Sequence, residues 1–353
     1  MAGVSRITVA RTPFDRSRIG KNLTNYSELV PLKIEQTKED IAEISDLISF
    51  SLRRAFLTAA LQPQSTGIGP LFRDAAQCGA AAFALARAGG RAIDIPLASD
   101  TVTRLHGPLR PDTLYPARWL AATWCAMAAN DFCSLMNLCY TPMEILRNSP
   151  IRDDDFAYYY IDALRAFWTG DSRTGRVLLE ALRATDPALI SHSDVDYVMG
   201  VDVPSLDLLR GVLERDPERF NRALQEALEG HKEFWSAKGT NTVEGLVALA
   251  PTAFACLGID RGLQSDVASD YMPAQLLSLH GHPVPLICCP YCLTPMADGT
   301  ELCPACLQDV RKDAPVDMDS AEYMQAPRKP CPTCRSSVLE MAVRCPSCEN
   351  ALN

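Results

Sequence analysis

No run of about 20 apolar residues occurs in this 353-residue chain, so it lacks the length of greasy sequence that a membrane-spanning helix needs. Its most apolar stretch, Ala75 to Ala86, is shorter and is flanked by Arg73, Asp74 and Arg87. A leader-like apolar core is missing too, since the opening MAGVSRITVARTPFDRSRIGK is basic. These absences predict a soluble, cytoplasmic protein with no membrane partner. Basic charge is also scarce. Lys and Arg total 34 against 43 Asp and Glu, the net charge is −9, and no basic run exceeds two residues. Such a chain does not attract phosphate backbones, so nucleic acid is not an expected partner.

Catalytic signatures are absent as well. The five histidines are scattered, and there is no H-E-x-x-H, no G-x-S-x-G and no glycine-rich phosphate loop. The expectation is a protein that is not an enzyme and has no catalytic residues. An enzymatic reading would rest on carboxylates such as Asp153, Asp154, Asp155 or Asp196. The Asp153-Asp154-Asp155 run reads more simply as a cap on the helix that follows, because carboxylates favour helix N-termini. His280 and His282, close to Cys288, could hold a metal but read as exposed linker histidines.

Cysteine, by contrast, is plentiful. Of the fourteen, eight fall in four C-x-x-C pairs: Cys289 and Cys292, Cys303 and Cys306, Cys331 and Cys334, Cys345 and Cys348. Pro follows the first cysteine of every pair. Both quartets follow one formula, C-P-x-C, ten residues, C-P-x-C. In a reducing cytoplasm such pairs hold metal. Two facing C-x-x-C knuckles supply the tetrahedral four-thiolate shell that zinc accepts, and with no open position the sites are structural. Two structural zinc ions are therefore expected as cofactors. Each ribbon is too short to bury a core alone, so metal would supply most of its folding free energy, about 10 kcal/mol per site. The tail resembles the double zinc ribbon family over Cys288 to Leu352. It departs from that family where Leu293, Leu307, Arg335 and Glu349 stand in place of a glycine after each knuckle. The tail carries six basic and nine acidic residues, which suits a protein-facing or structural role.

The rest of the chain reads as all-α, stacked helical hairpins or a bundle. Residues 1–36, with Pro13 and Pro31 and no sustained period, read as an arm with little structure of its own. An all-α domain over 37–284 follows, then a first ribbon at 288–310, a linker at 311–328 and a second ribbon at 329–353. Thr37 with Asp40 resembles a capping pair, and Ile41, Ile44, Leu47, Ile48, Leu52 and Phe56 mark one buried helix face running to about Ala60. Pro70 to Ala88 is alanine-rich, suited to close packing, and ends at Gly89-Gly90, a C-cap. Ile93, Ile95 and Val102 around Pro96 suggest a short extended piece or hairpin within Arg91 to Gly107. Tyr115 to Tyr140 is apolar all round, as a central helix or helix pair is. Thr141-Pro142-Met143-Glu144 combines helix-start signals. Further helices are predicted over Asp155 to Phe167, Arg173 to Ala184, Ser205 to Glu214, Pro217 to Phe234 and Val243 to Leu257, with a last turn near Pro273 to Leu279. The segments around Asp171 and Asp216 lie 45 residues apart and both read as helix, turn, helix, with Leu179 and Leu224 in matching places.

One stretch is distinctive. His231-Lys232-Glu233-Phe234-Trp235-Ser236 leads through a spacer to Glu244-Gly245-Leu246-Val247-Ala248-Leu249-Ala250-Pro251-Thr252-Ala253-Phe254-Ala255-Cys256-Leu257. Gly258-Ile259-Asp260-Arg261-Gly262-Leu263 follows, then Ser269-Asp270-Tyr271-Met272-Pro273. With Phe83-Ala84-Leu85-Ala86-Arg87-Ala88-Gly89-Gly90, this succession resembles the immunity protein 49 family over about residues 60–280. The resemblance implies an all-α bacterial immunity protein of a polymorphic toxin system, whose partner is a cognate protein toxin that it neutralises by direct binding. The family does not normally carry zinc ribbons. Read without the family, Trp235 packs on an amphipathic helix, Asp260 and Arg261 form a local ion pair, and Tyr271 anchors a turn. A second reading is a cytoplasmic helical-repeat scaffold or regulator whose ribbons bind another protein. An acidic inhibitor suits a basic nuclease toxin, whose cleft must attract phosphate.

Overall fold

The computed structural model describes residues 7–98 and 101–282 and, in the tail, residues 286–289, 295–297, 303, 310, 316–317, 328–330 and 337–339. The main body is helical. It contains α1 (Arg16–Glu39), α2 (Ile44–Leu61), α3 (Ile68–Arg87), α4 (Pro116–Ala128), α5 (Phe132–Cys139), α6 (Met143–Arg147), α7 (Asp155–Trp168) and α8 (Thr174–Ala184). A one-turn α9 (Val195–Tyr197) runs through a π turn, Val198–Asp202, into α10 (Val203–Glu214); α11 (Pro217–Lys238), α12 (Leu249–Asp260) and α13 (Ala274–Leu277) complete it.

Small extended pieces accompany the helices. β1 (Ile7–Val9) pairs in parallel with β4 (Val267–Ser269), Ile7 opposite Val267, and β2 (Ile93–Pro96) forms an antiparallel hairpin with β3 (Val102–Leu105) where one was expected. In the tail, β5 (Leu286–Cys288) pairs antiparallel with both β6 (Pro295–Ala297) and β7 (Val316–Asp317), and β8 (Arg328–Pro330) pairs with β9 (Ser337–Leu339).

Three tight helical corners share one construction. α4, α7 and α10 each end on a residue in the left-handed region, Asn130 (φ 53°), Gly170 (φ 69°) and Arg215 (φ 53°). In each case the next residue is an aspartate. Its N–H donates back to a carbonyl five residues earlier: Asp131 to Ala126, Asp171 to Ala166, Asp216 to Gly211. That bond closes the outgoing helix as a Schellman turn. The same aspartate's side chain then accepts the backbone N–H of Ser134, Arg173 or Glu218, capping α5 and α11 directly and fixing the turn that leads into α8. One dipeptide therefore stops a helix and starts its antiparallel neighbour, producing α4–α5, α7–α8 and α10–α11. The 45-residue offset between Asp171 and Asp216 reflects this shared corner. It does not extend to the helix faces, because Leu179 is exposed while Leu224 is fully buried.

Packing density in the centre comes from small residues. A Cβ on Gly79 of α3 would sit 2.5 Å from that of Ala122 on α4, so these helices approach as closely as side chains permit. Trp124 fills the adjoining space, its ring 5.5 Å from Tyr160 and 5.2 Å from Phe254. The segment Val243–Asp260 is long and apolar enough to cross a membrane by composition, yet it is interrupted. A short turn at Val243–Leu246 gives way to extended backbone at Val247–Ala248, where the Ala248 N–H donates to Tyr271 O, and only then does α12 begin. The single helix expected from Val243 to Leu257 is thus two pieces, and α12 is buried from Pro251 to Gly258.

The N-terminal expectation is corrected most. Residues 16–39 are not an arm but the helix α1, capped by the Asp15 carboxylate on the N–H groups of Ser17 and Arg18. Only Ile19, Val30 and Thr37 are buried on it. Such a sparse stripe, with Pro31 inside it, leaves little periodic signal in sequence, and packing against α2 supplies what local propensity does not. Thr37 is accordingly no N-cap: its hydroxyl donates to Lys33 O, and Asp40 makes the break by accepting the Ala42 N–H. At α6 the helix begins where expected, but Pro142 occupies the cap position and Thr141 is buried without a capping bond.

Candidate binding face and the expected sites

The eight cysteines come first. Cys289 and Cys303, one from each knuckle of the first quartet, are both fully buried. Buried thiols in an all-cysteine donor set have the chemistry zinc accepts. Cys292, Cys306, Cys331, Cys334, Cys345 and Cys348 lie outside the described residues. The body's cysteines differ in kind: burial pushes the Cys78 and Cys139 thiols up to about 12, so they stay protonated as packing residues.

The stretch Trp235 to Pro273 acts as a structural hub. Tyr271 is buried, and its hydroxyl accepts the backbone N–H of Thr12 at 3.0 Å, strapping the N-terminal segment down beside the β1–β4 pair. Asp15 N–H donates to Asn241 Oδ1 in the same way. His231 packs 5.0 Å from the Tyr271 ring and donates from Nε2 to Gly245 O, and burial lowers its pKa to about 4, so it is a neutral core residue. Trp235 packs against Tyr197, Phe234 and His231, as its helix position suggests.

The expected Asp260–Arg261 ion pair does not form. Arg261 lies over the Phe167 ring at 5.0 Å, while Asp260 accepts from His280 Nδ1 at 2.7 Å and from the Gly281 N–H at 2.9 Å. His280 is therefore no exposed linker residue. Its side chain is almost fully buried, and Nε2 reaches Ala128 O at 3.2 Å, which ties the C-terminal end of α4 to that of α12. His282 remains exposed. A cavity of about 440 Å³ opens beside this tie, walled by Phe132, Leu135, Trp168, Asp131 and His280.

The Asp153-Asp154-Asp155 run does something other than cap α7. Asp154 holds the cap position, but its carboxylate turns to the loop before α9 and accepts the backbone N–H groups of Ser191, His192 and Ser193 and the Ser191 hydroxyl. Those donors hold its pKa down to about 2 against the opposing effect of burial. Asp153 accepts the Ser193 hydroxyl at 3.1 Å. The loop is thereby pinned to the start of α7. Asp155 and Asp196 are exposed.

Sequence reasoning passed over Asp202. It ends the π turn, a geometry that recurs at functional sites. Burial, with Asp153 adding repulsion, pushes its carboxyl up to about 8. Among the described residues it makes no hydrogen bond or ion pair. The Tyr160 phenol, 1 % exposed, also has no hydrogen-bond partner among the described residues, and burial with the Asp202 charge raises its pKa. Between Arg183 and Arg210 there is no Lys or Arg at all, against Asp186, Asp194, Asp196, Asp202 and Asp207. That gap was the signal available in sequence.

With the fold and these groups in place, comparison with known proteins gives one match: the family model of immunity protein 49 covers residues 63–276, more than half the chain. The chain belongs to the immunity protein 49 family. No curated protein and no solved structure matches it. The matched region leaves out α1 and the whole of α2, although Val30, Ile44 and Leu47 belong to the same hydrophobic core as Phe254 and Leu257.

Proposed function

We propose that this protein neutralises a cognate protein toxin by binding it, without chemistry of its own. Membership of the immunity protein 49 family is the observation that carries this reading. The chain's acidic balance favours a basic toxin surface, because complementary charge speeds encounter and suppresses wrong partners. The test is growth of cells expressing the product of the adjacent reading frame, with and without this protein. Rescue by the full chain is expected, and rescue by a chain ending at residue 284 places neutralisation in the helical body. A harmless neighbour, or no rescue by either chain, removes the reading.

The tail, on this proposal, is a pair of structural zinc ribbons held by Cys289, Cys292, Cys303 and Cys306 and by Cys331, Cys334, Cys345 and Cys348, stable in a reducing cytoplasm. When bound, zinc supplies the tetrahedral link that a short hydrophobic core cannot. Two zinc ions per chain are expected by elemental analysis of the purified protein, falling to about one in Cys303→Ser. A metal-free, fully folded tail would exclude the assignment.

A further inference from the structure

Three helix ends meet around the cavity beside the Asp260–His280 tie. Met127 comes from the end of α4, Trp168 from the end of α7 and Leu257 with Ile259 from the end of α12. Phe132 and Leu135 of α5 complete an apolar wall. Met127, Leu135 and Leu257 are buried, whereas Phe132, Trp168 and Ile259 keep part of their surface exposed. A concave site walled by apolar and aromatic side chains, with a few polar groups at its edge, is how small-molecule pockets are built.

The polar groups at the edge are already engaged within the protein. Asp260 accepts from His280 Nδ1 and the Gly281 N–H, and His280 Nε2 reaches Ala128 O. Asp131 accepts the Ser134 N–H, Asn130 Nδ2 donates to Leu279 O at 3.2 Å, and Arg261 lies over the Phe167 ring. His282 stands exposed at the rim. A charged ligand would give up its hydration on entering and meet groups that already have partners, so the chemistry of the site selects an uncharged one. The bonds that occupy these groups also set the walls: the Asn130-Asp131 corner fixes α5 against α4, and His280 fixes α4 against α12. A ligand therefore meets a cavity formed in advance, which lowers the ordering cost of binding.

Size narrows the ligand further. An apolar cavity of about 150 Å³ already takes up a benzene-sized molecule. The volume here, about 440 Å³, is more than one inserted side chain fills, and it suits a compact molecule of about two or three rings. We propose that this cavity binds a small, uncharged, apolar molecule against Phe132, Leu135 and Trp168. Water released from those walls drives the binding, and the Phe132 and Trp168 rings favour an aromatic ligand through offset and edge contacts.

The experiment titrates the full chain with N-phenyl-1-naphthylamine, an uncharged aromatic probe whose fluorescence rises in apolar surroundings. A saturable signal with one site per chain is expected, together with a thermal midpoint that climbs as the probe concentration is raised. Naphthalene is expected to compete, and naphthalene sulfonate to bind about 10-fold more weakly or worse, because its charge must be desolvated. Two variants locate the site. Ile259→Trp fills part of the cavity with side chain, and Phe132→Asp places a carboxylate on its wall at the first residue of α5, where a helix N-terminus tolerates one. Each is expected to weaken the probe about 10-fold or more. Leu32→Asp, at a side chain 59 % exposed on α1 and away from the cavity, is expected to leave binding unchanged. Absence of saturation, undiminished binding by both cavity variants, or equal binding of the sulfonate overturns the proposal. Growth rescue tests the toxin-binding reading separately, and neither result decides the other.

Discussion

Asp202→Asn is expected to make the free protein more stable at pH 9 by about 3 kcal/mol, a rise of roughly 5 °C or more in the thermal midpoint, while changing it little near pH 4. The sign follows from the two states. In the folded chain this carboxyl keeps its proton up to about pH 8, whereas an unfolded aspartate releases it near pH 4. Folding therefore takes up a proton between those values, and stability falls as pH rises through the window. Above pH 8 the whole penalty is present; below about pH 4 none is. Asparagine carries no charge to desolvate, so the variant's gain opens across the same window. The figure of about 3 kcal/mol is set below the full shift because the residue is only part-buried, and solvent screens part of the cost. Thermal melts of both proteins across pH 4 to 9 check it. A loss of stability at pH 9 would mean that the carboxylate has a structural partner after all.

A carboxyl whose burial costs the folded protein stability marks a place where the chain sits away from its stability optimum. That is why Asp202 matters more than the aspartates the sequence advertised. Asp154 is fully satisfied by three N–H groups and a hydroxyl, and its low pKa reports structure. Asp202 has no hydrogen bond or ion pair among the described residues. Its sequence context, Val201-Asp202-Val203, puts a charge among valines with no basic residue within seven positions on either side.

How much of this was legible depended on whether the deciding contact was local. α3 with its Gly89-Gly90 stop, the extended piece or hairpin around Pro96 and the starts of α7, α8 and α11 all depend on caps, turns and periodicity within a few residues. Each was read close to its observed place. α1 was missed because only three of its 24 residues are buried, so the pattern that would announce it is nearly absent. The β1–β4 pair was unreadable for another reason: Ile7 meets Val267 across 260 residues, and three-residue strands carry no period. His280 failed similarly, since nothing near it in sequence foretells Asp260 and Ala128 O on either side of its ring. The π turn adds one residue to a helical turn, and so shifts the face on which Asp202 falls, without any local signal.

Gly230→Ala is expected to cost about 3 kcal/mol or more, while Gly200→Ala is expected to be neutral or slightly stabilising, although the two glycines touch each other. A Cβ on Gly230 of α11 would lie 1.8 Å from the Gly200 carbonyl oxygen, and that atom belongs to backbone that has no freedom to swing away. A Cβ on Gly200 would meet Gly230 Cα at 3.7 Å, an ordinary contact. Both positions are helical, so alanine carries the same intrinsic advantage of about 1 kcal/mol at each, and the difference between the variants isolates the clash. Relief requires the π turn to move off α11, and the π turn is what presents Asp202. Chemical denaturation of the two variants measures the asymmetry directly. Gly200→Ala should keep the wild-type midpoint, whereas Gly230→Ala should lower it. Equal stability of the two variants would show that α11 and the π turn are not in this close contact.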